Sequence, residues 1–167
     1  MTCSRGEVPA GLAERTVARR DIDCAADDLD ALDRRGGRLV TPGDDEWPVL
    51  AFAALRGTAL RDKPQARPPL ALWVLGPARL DEVAERSVAI VGTRAATAYG
   101  EHVAAELSAG LAEHDVSVIS GGAYGIDGAA HRATLSTDGV TVAVLAGGVD
   151  VPYPAGHSAL LHRIANT

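Results

Sequence analysis

The second half of the chain contains three short apolar runs that are rich in β-branched residues and do not alternate with polar ones. They are residues 87–91, 116–119 and 140–145. Such runs are typical of parallel strands that are buried on both faces. Parallel strands need crossover connections, and we expect these to be right-handed.

Helical periodicity fills the gaps between the runs. Residues 98–114 carry Val103, Leu107 and Leu111 at intervals of four, which predicts a helix with these side chains on its apolar face. A second helix is predicted over residues 126–135, and a third carries the apolar residues near the end of the sequence. The order is therefore β-α-β-α-β-α.

This order predicts an α/β fold, a Rossmann-like doubly wound parallel sheet. Three strands make one half of such a sheet, in which the first strand normally lies in the middle. The sheet is therefore expected to be incomplete, unless the extended segments around Leu39 and Leu72 add strands beside it. An unpaired apolar edge invites pairing with another chain. The pattern thus favours a fragment or a truncated product.

The N-terminal part, residues 1–38, is predicted to be a short helical segment that precedes a Rossmann-like domain over residues 39–167. It is polar and charged, with Leu29 and Leu32 at helical spacing before Gly36-Gly37 ends the pattern. A helical stretch is expected over residues 47–60, and a brief polar helix over residues 80–85.

Composition limits the classes of function. Hydrophobic residues make up 47% and charged residues 23% of the 167 residues, and no apolar stretch approaches the roughly 20 residues of a membrane helix. With no signal peptide either, a cytoplasmic protein without membrane contact is expected. Cys3 and Cys24 are too few for a disulfide framework or a zinc site, and both are interpreted as thiols.

The formal net charge of −6 argues against indiscriminate nucleic-acid binding, because such binding depends on Lys and Arg. Any DNA contact must therefore be a local patch. Trp47, Trp73 and Tyr99 are predicted to pack rather than to bind bases, since aromatic residues are few here and cores use them first.

Small-residue loops follow the first two strands. We call residues 91–94 the first loop and residues 120–127 the second loop. The carboxyl ends of parallel strands meet at one sheet edge, where glycine allows close approach and helix N-termini favour anions. A phosphate site is therefore predicted, with Tyr124 stacking on a base. Its predicted residues are Gly92, Thr93, Arg94, Ser120, Gly121, Gly122, Ala123, Tyr124 and Gly125.

A third loop, residues 147–154, ends the third strand at the same edge and is expected to form the floor of the pocket. Gly147 and Gly148 are predicted as supporting residues, and Asp150 is assigned a structural or arginine-orienting role. Arg132 and Arg163 are candidates for the pocket walls, although each also fits a solvated helix charge.

Asp127 and His131 are the other supporting residues. Asp127 is expected to cap its helix, and the spacing of four places both on one helix face as an oriented pair. Signatures of serine hydrolases, zinc proteases, phosphate-loop enzymes and dinucleotide-binding folds are absent from the sequence. No catalytic residue, metal or cofactor is predicted.

These motifs resemble the DNA-processing protein A (DprA/Smf) family. The resemblance runs over Val88 to Arg94, Tyr99-Gly100, Ser120 to Asp127, Ala129-Ala130-His131, Thr141 to Leu145 and Tyr153-Pro154, with Trp47-Pro48 and Pro68-Pro69-Leu70 upstream. His157 departs from it, because asparagine is common there in the family.

The resemblance implies a Rossmann-like protein that binds single-stranded DNA and performs no catalysis. Its DNA pocket would lie between the first two loops, on Gly92, Thr93, Arg94, Ser120, Gly121, Gly122 and Ala123. It also implies protection of incoming strands in natural transformation, loading of the RecA recombinase past single-strand binding protein, and action as a homodimer.

Two alternatives remain open from the sequence. One is a nucleotide-binding hydrolase of the Rossmann-like, lysine-decarboxylase-like phosphoribohydrolase group, in which Asp127 and His131 would act. The other is an inactive fragment.

Overall fold

The computed structural model describes residues 17–19, 22–56 and 68–167. Its strands are β1 (Arg38–Val40), β2 (Leu72–Val74), β3 (Ser87–Ala89), β4 (Ser117–Ser120) and β5 (Thr141–Ala143). Its α-helices are α1 (Ala25–Asp33), α2 (Val49–Ala53), α3 (Leu80–Glu85), α4 (Ala98–Ala112), α5 (Ile126–Ser136) and α6 (Ser158–Ile164). Short 3₁₀ turns cover Val17–Arg19, Ala54–Arg56 and Ala155–His157.

Strands β3, β4 and β5 form one parallel sheet in that order. Val88 pairs with Val118, and Val118 pairs with Thr141. The predicted α/β, Rossmann-like architecture is confirmed, because helices α4 and α5 form the crossovers. The sheet carries β3 at one edge among the described residues, rather than in the middle.

The core lies between this sheet and the two crossover helices. Ile90 and Val118 from the sheet meet Ala130 from α5, and Leu111 and Ile126 pack against them. These residues come from four different segments around the ends of β3 and β4. The core therefore supports the sheet edge where the first and second loops begin.

Helix α4 buries a different face from the predicted one. Ala104, Ser108 and Ala112 are buried, whereas Val103 and Leu107 are 41% and 53% exposed. The neighbour of α4 is α5, and small side chains let the two helices approach closely. The predicted apolar face is therefore wrong for Val103 and Leu107, although Leu111 packs against the core.

Strands β1 and β2 form a separate antiparallel pair, in which Arg38 lies opposite Val74. The prediction that these segments extend the main sheet is wrong. The Arg38 guanidinium binds the Glu46 carboxylate at 2.5 and 2.8 Å and the Ala78 carbonyl oxygen at 2.8 Å. These bonds fasten β1 to the chain that follows β2, so the two strands stay together.

The three predicted packing aromatics differ in burial. Trp47 is 6% exposed and its ring lies 5.0 Å from that of Phe52, so its packing role is confirmed. Trp73 is 45% exposed beside Leu39, its cross-strand partner, and Tyr99 is 77% exposed. The packing prediction is therefore wrong for Tyr99, whose side chain lies on the exposed side of the first turn of α4.

The helix predicted in the N-terminal segment is present as α1, which buries Leu32 and ends before Gly36, a residue with φ of +66°. The division at residues 38 and 39 stays a prediction. Cys3 and the second half of the predicted 47–60 helix lie outside the described residues. Within the described ranges, no helix is long and apolar enough to cross a membrane.

Candidate functional site

The first and second loops meet at the carboxyl edge of the sheet, as the sequence predicts. The Ile126 N–H donates to the Thr93 carbonyl oxygen at 3.3 Å. Gly125 has φ of +72°, and a Cβ there would collide with the Thr93 carbonyl oxygen and stand 2.7 Å from that of Arg94. A Cβ on Gly92 would stand 2.6 Å from the Ile126 side chain. Glycine is therefore required at both positions for the two loops to fit together.

A recess of about 60 Å³ opens between these loops and the third loop. It is lined by Arg94, Gly121, Ala123, Tyr124, Tyr153 and Pro154. Pockets for small molecules usually measure about 300–1,000 Å³. A recess of this size suits a phosphate group or part of a polymer that lies across the surface.

Arg94 is the positive group of this recess. Its side chain is exposed, and no ion pair to it is found within the described part of the chain. Its neighbour Thr93 uses its hydroxyl locally, accepting from the Ala95 N–H at 3.2 Å. Among the described residues the Arg94 guanidinium donates no hydrogen bond, so its five N–H donors are available to a ligand.

The structure brings Arg94, Gly121, Ala123 and Tyr124 together, but it places other predicted residues behind the surface. Ser120 is 3% exposed, and Gly122 and Gly125 are also buried. These three residues lie beneath the surface of the second loop and determine the course of its backbone. Gly147 and Gly148 belong to the third loop but do not line the recess.

The third loop contributes Tyr153 and Pro154 to the lining of the recess. Tyr153 is 65% exposed, whereas Pro154 is buried and follows a cis peptide bond. The Asp150 carbonyl oxygen accepts from the Arg35 guanidinium at 3.1 Å. Asp150 thus binds an arginine outside the recess, and through its backbone rather than its carboxylate. Arg163 lies exposed on α6 and does not line the recess.

Asp127 does not cap its helix. The cap position of α5 is Gly125, and the Asp127 carboxylate accepts instead from the Ala123 N–H at 3.3 Å. A Cβ on Gly121 would stand 2.9 Å from the same carboxylate oxygen. Asp127 therefore lies beneath the second loop and supports its backbone. The cap prediction is wrong, because the carboxylate points back towards the loop.

His131 is a fully buried residue of α5. Its Nδ1 lies 2.7 Å from the Thr141 hydroxyl, which itself donates to the Val118 carbonyl oxygen at 2.8 Å. Because that hydroxyl proton is already used, Nδ1 must be the donor, and Nε2 carries the lone pair. Burial lowers the pKa of His131 to about 4, although the nearby Asp127 carboxylate opposes this.

Asp127 and His131 bind different partners, so the predicted pair is not formed. The Asp127 Oδ1 and His131 Nε2 atoms are buried without a hydrogen-bond partner. Asp127 is 6% exposed and His131 is 0% exposed. Neither side chain lines the recess, so the acid and base that the hydrolase alternative requires are not presented to a ligand.

His157 is the residue that sequence reasoning missed. It is buried, its Nδ1 lies 3.0 Å from the Gly122 carbonyl oxygen, and its ring meets that of Tyr124 at 4.7 Å. Arg132 reaches the other ring nitrogen at 3.5 Å, so this candidate wall residue contacts His157 instead of the recess. The only signal in the sequence is its departure from the asparagine of the family pattern.

Comparisons with known proteins place the chain in a family. The sequence profile of the family described as DNA recombination-mediator protein A matches residues 38–167. The chain is 73% identical over 161 residues to a DNA processing protein DprA from Mycobacterium tuberculosis, covering 96% of this chain and 41% of the relative. It is 31% identical over 158 residues to the protein Smf of Synechocystis, covering 92% of this chain and 36% of the relative.

Two solved structures have the same fold. The crystal structure of DprA from Streptococcus pneumoniae matches with a TM-score of 0.67 and 31% identity over 96% of this chain and 50% of that chain. DprA from Helicobacter pylori, described for its single-stranded DNA binding mode, matches with a TM-score of 0.58 and 25% identity over 78% of this chain and 52% of that chain. The chain thus spans about half of these structures and less than half of its relatives in sequence.

Proposed function

The chain belongs to the DNA recombination-mediator protein A family, and from this membership we propose that it binds single-stranded DNA at the recess between its first and second loops. The junction of the two loops supports this proposal most directly. The bond from the Ile126 N–H to the Thr93 carbonyl oxygen holds both loops at one edge, beside the exposed Arg94. The H. pylori relative is described as binding single-stranded DNA.

Arg94 is the proposed phosphate ligand. A guanidinium binds phosphate oxygens in a bidentate manner, and Gly121 presents no side chain to obstruct the backbone of the strand. The formal net charge of the chain is −6, so the attraction for DNA must come from a local group of this kind.

The recess favours single strands over duplex DNA because of its aromatic rim. Tyr124 and Tyr153 line it and are 45% and 65% exposed. Exposed rings stack on unpaired bases, whereas the base faces of a duplex are already covered by their neighbours. Phosphate binding and base stacking therefore act at the same place.

We also propose the wider role that the family resemblance implies. The chain would protect incoming strands in natural transformation and help to load RecA past single-strand binding protein, acting as a homodimer. Binding, rather than catalysis, is the proposed contribution of the recess. Asp127 and His131 would then have only a structural role.

Fluorescence anisotropy of a labelled single-stranded oligonucleotide tests the DNA proposal. Arg94→Ala is expected to weaken binding at low salt and to reduce the slope of log affinity against log salt by about 0.7. Arg86→Ala is the matched control, because Arg86 is exposed just before the opposite end of β3. Equal affinity and slope for wild type and Arg94→Ala would contradict the proposed site.

A further inference from the structure

Tyr124 is held in place on one side and open on the other. The His157 ring packs against it at 4.7 Å with an angle of 68° between the ring planes. A Cβ on Gly156 would stand 2.5 Å from the Tyr124 hydroxyl oxygen, so the missing side chain makes room for that group. The ring nevertheless stays 45% exposed. Its free surface is therefore available to a planar group.

The peptide bond between Gly122 and Ala123, one residue before Tyr124, is fixed at both of its polar atoms. The Gly122 carbonyl oxygen accepts from His157 Nδ1 at 3.0 Å, and the Ala123 N–H donates to the Asp127 carboxylate at 3.3 Å. Both atoms belong to one planar peptide unit. The two side chains thus fix its orientation, and with it the placement of Ala123, the residue before Tyr124.

The neighbours of Gly122 leave this peptide little freedom to shift. Gly122 has φ of +71°, and a Cβ there would stand 3.1 Å from Leu145 and 3.2 Å from Leu161. Arg132 contacts His157 Nε2 at 3.5 Å, which is consistent with a proton on Nδ1. His157 therefore connects helix α6 and helix α5 to the second loop.

From these contacts we propose that His157 is a positioning residue that holds Tyr124 as a stacking surface for one unpaired base. The inference rests on the proposed function, because it concerns the same recess. Arg94 and Tyr124 line that recess together, so the phosphate and the base of a single nucleotide are within reach of both. His157 itself is 8% exposed and acts through Tyr124.

Substitutions at His157 separate its two contacts. His157→Asn keeps an N–H donor at the place of Nδ1 but removes the outer part of the ring. His157→Leu removes the donor and the aromatic edge while retaining similar bulk. His102→Asn is the control, because His102 is exposed on α4, where it lies 3.5 Å from the Glu106 carboxylate and away from the recess.

The readout is an oligonucleotide of thymidines with one 2-aminopurine, whose fluorescence falls when the base stacks. Wild type and His102→Asn are expected to quench it on binding. His157→Leu should lose the quenching and bind about tenfold more weakly, with an unchanged salt slope because the phosphate contacts remain. His157→Asn should restore most of the affinity, since it keeps the bond to Gly122.

A second pair of variants tests the placement of Tyr124 without changing His157. Gly156→Ala is expected to displace the Tyr124 ring and reduce quenching, because its methyl group meets the hydroxyl. The double variant Gly156→Ala/Tyr124→Phe removes that hydroxyl and should recover the quenching. Thermal melts of each variant establish that it is folded.

The outcomes separate this inference from the function on which it rests. If the wild-type chain binds no oligonucleotide, the proposed function fails and the inference fails with it. If wild type binds with salt dependence, but folded His157→Leu quenches and binds as well as wild type, only the role of His157 is overturned. Unchanged quenching in Gly156→Ala would likewise overturn the placement of Tyr124.

Discussion

The Ser120 hydroxyl donates a hydrogen bond to the carbonyl oxygen of Ile90 at 2.5 Å. This bond joins the end of β4 to the residue after β3, at the point where both strands pass into their loops. The side chain is 3% exposed, so it cannot also serve as a phosphate ligand. Ser120 therefore supports the sheet edge from below.

Ser120→Ala is expected to lower the free energy of unfolding by about 1 kcal/mol, since a buried hydrogen bond is lost. DNA affinity measured well below the melting temperature should stay within about twofold, because no proposed ligand group changes. Denaturant unfolding and anisotropy check the two parts. Ser136→Ala is the control, because its hydroxyl bonds the Ala133 carbonyl at the exposed end of α5.

Gly125→Ala is expected to separate the first two loops. The substitution places a methyl group against the Thr93 carbonyl oxygen at a φ of +72°, and the expected loss of unfolding free energy is about 2 kcal/mol or more. DNA affinity should fall as well, because the junction holds Arg94 beside the second loop. Denaturant titration and anisotropy measure both effects.

Gly110→Ala is expected to stabilise the chain, in contrast to Gly125→Ala. Gly110 lies inside α4, and a Cβ there would meet nothing within 4 Å. The substitution should raise the free energy of unfolding by about 0.5–1 kcal/mol, because alanine favours a helix interior over glycine. A loss of stability comparable to that of Gly125→Ala would contradict the packing described for both glycines.

His131 is expected to make stability depend on pH between about 4 and 6.5. Its pKa falls from 6.5 to about 4 in the folded chain, so the unfolded chain binds the proton first as the pH is lowered. Stability is therefore full above pH 6.5 and declines towards pH 4, by roughly 3 kcal/mol for a shift of this size. Denaturant unfolding at a series of pH values measures the slope.

His131→Asn should flatten this pH dependence. The amide N–H can replace Nδ1 as the donor to Thr141, but it does not titrate in this range. His114→Asn is the control, since His114 is exposed beyond the end of α4. A slope between pH 4 and 6.5 that is equally steep in wild type and His131→Asn would show that another group is responsible.

Glu46 is expected to stabilise the β1–β2 pair through Arg38. The hydrogen bonds from the Arg38 guanidinium lower the pKa of the Glu46 carboxyl below its ordinary value of 4.5. The stabilisation is thus present above pH 4.5 and is lost as the pH falls through the lowered pKa. Glu46→Gln should cost about 1 kcal/mol at pH 7, because the pair is partly exposed.

The cost of Glu46→Gln should shrink as the pH is lowered, because the wild-type carboxyl is then protonated and resembles the amide. Unfolding at pH 7 and pH 3 compares the cost at the two pH values. Glu113→Gln, at an exposed position after α4, should show a smaller cost at pH 7. If the cost of Glu46→Gln is the same at both pH values, the ion pair is not its source.

The main sheet and its loop edge could be predicted from the sequence because both depend on local patterns. Runs such as residues 116–119 predict parallel strands, and parallel pairing then places the two loops side by side. The burial on both faces that these runs also predict is wrong for the first and third, since Val88 is 39% and Val144 62% exposed on a sheet of three described strands. Gly92 and Gly125 marked positions where the backbone must approach closely. The adjacency of Arg94 and Tyr124 therefore followed from chain order alone.

Other features depend on contacts that no local pattern contains. Periodicity places Val103 and Leu107 on an apolar face, but the fit between α4 and α5 is decided by small side chains such as Ala104 and Ser108. The role of His157 depends on the Gly122 carbonyl, which lies far from it in the sequence. Neither the contact between α4 and α5 nor the bond between His157 and Gly122 follows from a regular spacing of residues, so the sequence alone does not predict them.

The parallel register of the sheet also determines when the site can form. Val88 pairs with Val118, and Val118 with Thr141, so each pairing must close a long loop of chain that contains a helix. No hairpin can nucleate such a sheet, and folding with many distant contacts is slow. The two loops acquire their final geometry only when β3 and β4 have paired. A nascent chain should therefore gain the proposed affinity for DNA late and abruptly, together with its core.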